Sequence, residues 1–586
     1  MRRLLRLVFG SAVVVLLFFL APAAPVWGAC TEPAGQYGIV LDRVKGTPAN
    51  STWATTTWNG LVGGYRDNLE RDLAVMASMG MKQVTILVQP CASGLNMSFS
   101  TPPCADPASG CDAHDRVQSD VDQAIANLTG TAQGTATVPP IGVIPLIKSF
   151  GMRTILALGI QRVYRYGCSY PNFDRWPRNT SFGWDVVYGD SAAGWNYMTA
   201  DLVWWVDKIV TAVEASPSAS DVIYDVGDEI WYGAPYPPEH PSYTSASPDP
   251  KIRQLMQAVM GISSLPASKT AVRLLKSCDA ANLKLDSDAA SFVPQYVGHN
   301  VYAYSSPPYD VDNDYGCGWS KVDLPAAFYA TALSFPNSCS YLGEYSMKPC
   351  EEGTTHWSEG ATAWYDKALQ TNAATAGVNI LQQWRLWSNP GSDPGPGCKP
   401  AQEQHGLTDG IDAPHSKYAN YITSDHSLWS NGDFESDSTG WYVFGGVAPA
   451  LIRKEAHLFG AAATNARWLR MKNSGGATSL CSPKFSVTPG DRVAVAGYLR
   501  SSRSEVTLQL RWVGGSQVDY IFDDVKSGQW SQIEYLGAGV PFRSNNVPAG
   551  ISEARICFWA QAANVGCASS VWVDIDAMSV NTYTPG

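Results

Sequence analysis

Two acidic side chains, Glu229 and Glu344, stand at the ends of apolar runs of the kind that form buried strands. Glu229 comes shortly after the run Val222–Val226, and Glu344 closes the run Ser340–Glu344. Two carboxyl groups that face each other can divide a reaction, because one donates a proton to a leaving oxygen while the other attacks the carbon. This is the chemistry that cleaves a glycosidic bond, provided that the fold brings the two groups together.

Short runs rich in β-branched residues alternate with helical stretches from residue 36 to about 425, and they must position the two carboxylates. The predicted strands are Tyr37–Leu41, Gln83–Val88, Arg153–Leu158, Val222–Val226, Val272–Leu275, Val297–Tyr304, Ser340–Glu344 and Val378–Trp384. Eight such strands predict an α/β fold, a (β/α)8 TIM barrel, whose catalytic groups lie at the C-terminal strand ends. A doubly wound open sheet would carry a glycine-rich phosphate turn after its first strand, and Asp42–Gly46 is not such a turn.

Between the strands, apolar residues recur with helical spacing. The predicted helices are Tyr65–Met79, Trp195–Ala215, Lys251–Ile262, Leu324–Leu333, Thr362–Ala374 and Ser416–Ile422.

After about Ser427 this spacing disappears and short alternating strands follow, which predicts an all-β jelly-roll sandwich. Its predicted strands include Val493–Leu499, Val506–Trp512, Ile533–Tyr535, Ala554–Trp559 and Val571–Ile575. We therefore expect a signal peptide at 1–29, a catalytic barrel at 30–427 and a sandwich at 428–586, packed together because no Pro/Thr-rich linker separates them.

The N-terminus and the cysteines indicate export. Arg2, Arg3 and Arg6 precede an apolar run, and small residues follow it, which is typical of a signal peptide cleaved after Gly28 or Ala29. A lipidated Cys30 is the alternative. The 13 cysteines predict disulfides in a secreted, extracellular protein, with Cys104–Cys111 and Cys339–Cys350 as candidate local pairs.

The charge balance limits the partners. The formal net charge is −11, which argues against nucleic acid and against an anionic membrane surface. The expected partner is a polysaccharide or oligosaccharide substrate, and we expect a monomer. No cofactor is needed for the chemistry of two carboxylates.

At its two strand-end glutamates the chain resembles the clan A glycoside hydrolases. That clan places an acid/base Glu at the end of strand 4, usually after Asn, and a nucleophile Glu at the end of strand 7. The resemblance implies that Glu229 is the acid/base and Glu344, in Leu-Gly-Glu-Tyr-Ser, the nucleophile of a retaining mechanism. Asp228 stands where the clan has Asn, so the contact with the sugar's 2-hydroxyl differs.

Further strand ends supply candidate substrate-binding residues. Clan A enzymes often place a Tyr on strand 6 beside the nucleophile and a Trp at the end of strand 8 beneath the sugar. The residues implied in this way, with their neighbours, are Asp228, Trp231, His299, Asn300, Tyr302, Trp384 and Trp387. Barrel packing is the alternative for each aromatic residue, and Asp225 is expected either to be structural or to support a site residue without touching the substrate.

The C-terminal domain resembles carbohydrate-binding modules of the galactose-binding-like type. The resemblance lies in Asn431–Glu435, in Gly440-Trp441 and in the last strand, Val571–Asp576. Such modules often hold a structural calcium with acidic groups at the two chain ends, which implies Glu435 and Asp574 as ligands. Candidate sugar platforms, with core packing as the alternative for each, are Trp441, Trp468, Trp512 and Trp559.

Two other functions remain open from the sequence. The adjacent Asp228 and Glu229 also resemble the acidic pair of substrate-assisted β-N-acetylhexosaminidases, a hypothesis that leaves Glu344 without a role. The second alternative is a secreted carbohydrate-binding protein whose barrel is not catalytic. Motifs of serine hydrolases, zinc peptidases and P-loop nucleotidases do not occur in the sequence.

Overall fold

The structure of the chain is a computed structural model. It describes residues 30–41, 65–88, 122, 124–130, 141–158, 192–227, 230, 232, 248, 250–275, 277–303, 334–347, 366–367, 369–371, 373–384, 428, 434, 438–444, 449–453, 467–473, 477–502, 506–522, 525, 530–533, 544–561 and 571–586. The predicted signal peptide lies outside these residues.

Eight parallel strands close into a barrel, which confirms the predicted fold class. The strands are β1 (Gln36–Leu41), β2 (Gln83–Leu87), β3 (Arg153–Ala157), β4 (Val222–Asp225), β5 (Thr270–Leu274), β6 (Tyr296–Ala303), β7 (Cys339–Met347) and β8 (Ile380–Trp384). Each strand pairs with the next, and β1 pairs with both β2 and β8, so no edge remains open. All eight predicted strands occur, with ends that differ by at most three residues.

Helices surround the strands. They are α1 (Tyr65–Ser78), α2 (Val143–Lys148), α3 (Ala192–Glu214), α4 (Pro250–Met260) and α5 (Ala280–Ala289). The structure confirms the predicted helices in α1, α3 and α4, whereas Leu324–Leu333, Ser416–Ile422 and the start of Thr362–Ala374 lie outside the described residues. The sequence did not predict α5, because polar Asn282, Asp286 and Ser287 occupy much of its buried face. Within the described part of the chain, no helix has the length and apolar character needed to cross a membrane.

The barrel is closed at the N-terminal ends of its strands, its floor, by a polar network. Arg153 Nη1 donates to Glu32 Oε1 at 2.6 Å, and its Nη2 donates to the side-chain oxygens of Gln36 and Gln83 at 3.0 Å each. The Tyr296 hydroxyl donates to the same Glu32 oxygen at 2.9 Å. Above this layer, apolar side chains from successive strands fill the lumen. The lumen next to the floor is therefore a packed core.

A disulfide between Cys30 and Cys339 fastens the N-terminal segment to the first residue of β7. The predicted pair Cys339–Cys350 is therefore wrong, because Cys339 faces the lumen at the floor, where residue 30 also lies. The same bond engages the sulfur that lipidation of Cys30 would require. The other predicted pair, Cys104–Cys111, lies outside the described residues.

Two antiparallel sheets form the C-terminal sandwich. One has the order β10 (Ala450–Arg453), β11 (Arg467–Asn473), β19 (Val571–Tyr583), β14 (Arg492–Ser501) and β17 (Ser531–Gln532). The other has the order β16 (Gln517–Phe522), β15 (Val506–Trp512), β18 (Glu553–Gln561), β12 (Ala477–Cys481) and β9 (Tyr442–Phe444), with β13 (Phe485–Ser486) beside β18. β17 ends one residue before the predicted strand Ile533–Tyr535, of which only Ile533 is among the described residues. A second disulfide, Cys481–Cys557, joins β12 to β18.

The barrel and the sandwich pack together, as the missing linker predicts. Ala494, Ala496 and Tyr498 of β14 belong to the same apolar cluster as the barrel helices. The hydroxyls of Ser78, at the end of α1, and Ser579 are 2.7 Å apart. Phe150 stacks on Tyr583 with ring centroids 5.6 Å apart. The outer face of the five-stranded sheet thus lies against the barrel.

The floor disulfide provides a stability test. We expect the double variant Cys30→Ser/Cys339→Ser to unfold at a lower temperature, because the bond closes a loop of 309 residues that holds the floor segment in place. Loss of a disulfide typically costs about 2–5 kcal/mol. Thermal unfolding followed by circular dichroism measures the shift.

The matched control is Cys481→Ser/Cys557→Ser, which opens the sandwich disulfide. A Cys30→Ser/Cys339→Ser variant as stable as the native protein would show that the floor does not depend on this bond.

Candidate active site

The mouth of the barrel, at the C-terminal ends of its strands, holds a buried cluster of three charged side chains from three different strands. On β5, Val272 and Leu274 pack toward the helices, while Ala271 faces the lumen. Because side chains alternate along a strand, Arg273 also faces the lumen. Asp225 ends β4, and Glu344 lies on β7. All three charged side chains are at most 1% exposed.

Glu344 has a donor on each carboxylate oxygen. Arg273 Nη1 makes a short ion pair with Glu344 Oε1. Asn300 Nδ2 donates to Glu344 Oε2 at 3.3 Å. A positive charge and hydrogen-bond donors both favour the ionised carboxylate over the protonated acid. The surroundings of Glu344 therefore suit a nucleophile rather than a proton donor.

Asp225 forms an ion pair with the other side of the Arg273 guanidinium. Arg273 Nε lies 3.0 Å from Asp225 Oδ2, and the Tyr341 hydroxyl lies 3.4 Å from the same oxygen. Burial, and then the negative charge of Asp225, raise the pKa of Tyr341 well above its usual range. Tyr341 is therefore a neutral donor to Asp225. Among the residues that the structure describes, one guanidinium is thus shared by two carboxylates.

Two glycines make room for this arrangement. A Cβ atom at Gly343, which precedes the nucleophile candidate, would lie 2.0 Å from Arg273 Cδ. A Cβ atom at Gly227 would lie 2.6 Å from the Arg273 backbone nitrogen. Any larger residue at either position would push the arginine away, so the glycines are needed for the close approach of β4, β5 and β7.

The predicted acid/base lies between two residues that the structure describes. Glu229 and Asp228 are themselves outside the described residues, as are Trp231 and Trp387. On one side, Gly227 donates its N–H to Asp225 Oδ1 at 3.1 Å. On the other, Ile230 donates its N–H to the Arg273 carbonyl at 2.8 Å. The segment therefore starts and ends beside β5 at the mouth of the barrel.

The remaining predicted residues divide into two sets. Asn300 contacts Glu344 directly, and His299 beside it is buried. Burial lowers the pKa of His299 to about 4, so its imidazole is neutral at physiological pH. Tyr302 and Trp384 lie in β6 and β8, but their side chains are outside the described part of the structure.

Sequence reasoning missed Arg273 altogether. The available signal was a single arginine inside the apolar run Val272–Leu275, since a buried arginine requires a partner of opposite charge. That signal could not name the partner, because Asp225 and Glu344 are distant in sequence. Asp225 was expected to be structural or to support a site residue, and it contacts the arginine that pairs with the nucleophile candidate.

The proposed calcium ligand Asp574 does not fit a metal site. Its Oδ1 accepts from Arg470 Nε at 2.6 Å, and its Oδ2 accepts from Arg470 Nη2 at 2.7 Å and Arg500 Nη2 at 2.8 Å. Two guanidinium groups already compensate its buried charge, and a cation beside them would be repelled. The second predicted ligand, Glu435, lies outside the described residues.

The four candidate tryptophan platforms of the sandwich differ in burial. Trp512 and Trp441 are buried in its core, and Trp441 packs edge-on against Phe434. Trp468 is partly buried beneath Arg500, whose guanidinium carbon lies 5.0 Å from the ring centroid. Trp559 is partly exposed on β18. Core packing thus accounts for the first two side chains.

Comparisons with known proteins give similarities to glycosidases and to a carbohydrate-binding module. No family model and no curated protein matches the chain. The GH39 enzyme of Xanthomonas axonopodis pv. citri is 10% identical, covers 91% of this chain and 96% of its own, and gives a TM-score of 0.36. A monomeric β-xylosidase from Caulobacter crescentus CB15 is 10% identical, covers 91% and 98%, and also gives 0.36. The module TmCBM61, solved with β-1,4-galactotriose, is 13% identical, covers 26% and 97%, and gives 0.20. Because these scores and identities are low, the case for function rests on the residues of the mouth.

His299 predicts how stability changes with pH. Its pKa is about 4 in the folded protein and ordinarily 6.5, so between these values the unfolded chain binds a proton that the folded chain does not. The contribution of His299 to the free energy of unfolding is therefore fully present above pH 6.5. It decreases as the pH falls toward 4, by about 3 kcal/mol in total.

Urea unfolding of the native protein and of His299→Gln, measured from pH 8 to pH 4, checks this. The native curve should fall more steeply than that of the variant below pH 6.5, and the two should run in parallel above pH 7. Parallel curves over the whole range would contradict a buried neutral imidazole.

Gly343→Ala tests the close approach of Arg273. The added methyl group would overlap the arginine side chain, and overpacking of this kind typically costs about 1–3 kcal/mol. The control is Gly261→Ala, where the nearest atom to the new Cβ is 3.3 Å away. Equal urea midpoints for the two variants would show that Arg273 does not lie against Gly343.

Proposed function

We propose that the chain is a secreted retaining glycoside hydrolase that cleaves a β-linked polysaccharide or oligosaccharide by double displacement. Glu344 is the nucleophile and Glu229 the acid/base. One observation carries the proposal: a buried carboxylate at the mouth of a closed barrel is held by a guanidinium and an amide. The apolar leader-like segment and the two disulfides support secretion.

The first half of the reaction forms a covalent intermediate. A Glu344 oxygen attacks the anomeric carbon, and the bond from that carbon to the leaving oxygen breaks. Glu229, protonated, donates its proton to the departing oxygen. Asn300 and Arg273 hold the Glu344 carboxylate ionised until it attacks. Ionisation matters because a protonated carboxyl group would be a poor nucleophile.

The second half releases the sugar. Glu229, now ionised, removes a proton from water, and the resulting oxygen attacks the anomeric carbon and displaces Glu344. Two inversions give net retention of configuration. This mechanism requires the two carboxyl groups to lie about 5–5.5 Å apart, whereas an inverting pair would be wider.

The C-terminal sandwich is proposed to act as a carbohydrate-binding module. It is fixed to the barrel through α1 and the loop after α2, so it does not move independently of the catalytic domain. Such a module would hold a polymeric substrate near the mouth. Deletion of the module would therefore affect polymers more than short glycosides.

A comparison of three variants tests the assignment of roles. We expect Glu344→Gln to abolish turnover on a panel of β-glycans, because its amide cannot form the glycosyl ester. Glu229→Gln should lower the rate by about 10²–10⁴-fold, the usual contribution of a general acid. Reducing-sugar release gives the rates, and NMR of the first product identifies the anomer, which should be β.

The matched control is Glu214→Gln, which removes a partly buried glutamate bonded to Lys269 on the outside of the barrel. Its rate should equal that of the native protein. An α first product would contradict the retaining mechanism. Activity confined to N-acetylated sugars that survives Glu344→Ala would favour the substrate-assisted alternative, and no difference between any variants would favour a binding protein.

A further inference from the structure

We propose that Asp225 and Arg273 are positioning residues that couple the two catalytic segments, and that Asp225 sets how strongly Arg273 attracts Glu344. The inference rests on the proposed function for its catalytic consequence, and on the contacts alone for the coupling. Neither residue is expected to touch the substrate, because both act through groups that do.

The coupling runs through one carboxylate with two different contacts. Asp225 Oδ1 accepts the N–H of Gly227, two residues before Glu229, in an Asx turn. Asp225 Oδ2 pairs with Arg273 Nε at 3.0 Å. The other end of the same guanidinium pairs with Glu344. Asp225 therefore reaches the acid/base segment with one oxygen and the nucleophile, through Arg273, with the other.

The backbone of Arg273 makes a second link. Its carbonyl accepts the N–H of Ile230, just after Glu229, at 2.8 Å. Leu275 completes the link by donating its N–H to the Ile230 carbonyl at 2.8 Å. The residues on both sides of Glu229 are thus tied to Asp225 or Arg273. A shift of the arginine would move both catalytic segments together.

Charge sharing gives Asp225 its tuning role. An arginine paired with Glu344 alone would hold the carboxylate too firmly for attack, because its full charge would favour the ionised ground state. Asp225 draws part of that attraction to itself. The charged and titratable groups around Glu344, among the described residues, are Arg273 of β5, Asp225 of β4 and Tyr341 of β7.

A double-mutant cycle, measured on stability and without any substrate, tests whether Asp225 and Glu344 share Arg273. Asp225→Asn and Glu344→Gln each remove one of the two described carboxylates that pair with Arg273, so each single variant should shift the urea midpoint only modestly. The double variant removes both of these carboxylates from a buried guanidinium. Its midpoint should therefore fall by clearly more than the sum of the two single shifts. Additive shifts would overturn the proposal.

The pH dependence of kcat/KM tests the catalytic consequence. In Asp225→Asn, the Asp225 charge no longer competes with Glu344 for Arg273, so the acid limb of the profile should move to lower pH by about one unit. The value at the optimum should fall about tenfold or more through kcat, with KM nearly unchanged. The control is Asp574→Asn, another buried aspartate between arginines, which should lower stability without moving the limb.

These measurements separate the two proposals. A native protein without glycosidase activity would refute the proposed function, while the stability cycle would still decide whether Arg273 is shared. An active enzyme whose acid limb is unmoved in Asp225→Asn would refute the tuning role and leave the assignment of Glu344 intact.

Discussion

One buried guanidinium, that of Arg273, determines how the mouth of this barrel is built. A charge removed from water is costly unless it is paired and hydrogen-bonded. Here Asp225 and Glu344 supply the counter-charges from strands on either side, and all three groups are buried. The ion pairs therefore fix the ends of β4, β5 and β7 relative to one another. A reactive carboxylate is held in place by the same contacts that stabilise the barrel.

This constraint explains smaller features of the sequence. Gly227 and Gly343 lack side chains where the arginine passes, and β7 is irregular beside β6 and β8 near Glu344. At the opposite end of the barrel, Arg153 is paired with Glu32 in a similar way. The lumen thus has a charged layer at each end and an apolar layer between them. The floor layer closes the barrel, and the mouth layer is available for chemistry.

Local patterns predicted the fold better than they predicted the site. The β-branched runs located all eight barrel strands, and Glu344 could be chosen as a candidate because it ends the predicted run Ser340–Glu344, although β7 itself continues to Met347. The arginine that holds it could not be paired from sequence, since its partners come from two other strands. The same limit applies to Cys30, whose partner Cys339 is 309 residues away, so spacing pointed to a nearer cysteine. The predicted calcium ligand Asp574 failed for a related reason, because Arg470 and Arg500 approach it from neighbouring strands.

The most direct test of the account is to trap the covalent intermediate on Glu344. The native protein would be incubated with activated 2-deoxy-2-fluoro-β-glycosides of glucose, mannose, xylose and galactose, digested, and examined by peptide mass spectrometry. The account predicts a single glycosylated peptide, with the sugar attached to Glu344 and absent from Glu344→Gln. A sugar attached to another residue, or hydrolysis of these glycosides with no trapped ester and an inverted product, would contradict it.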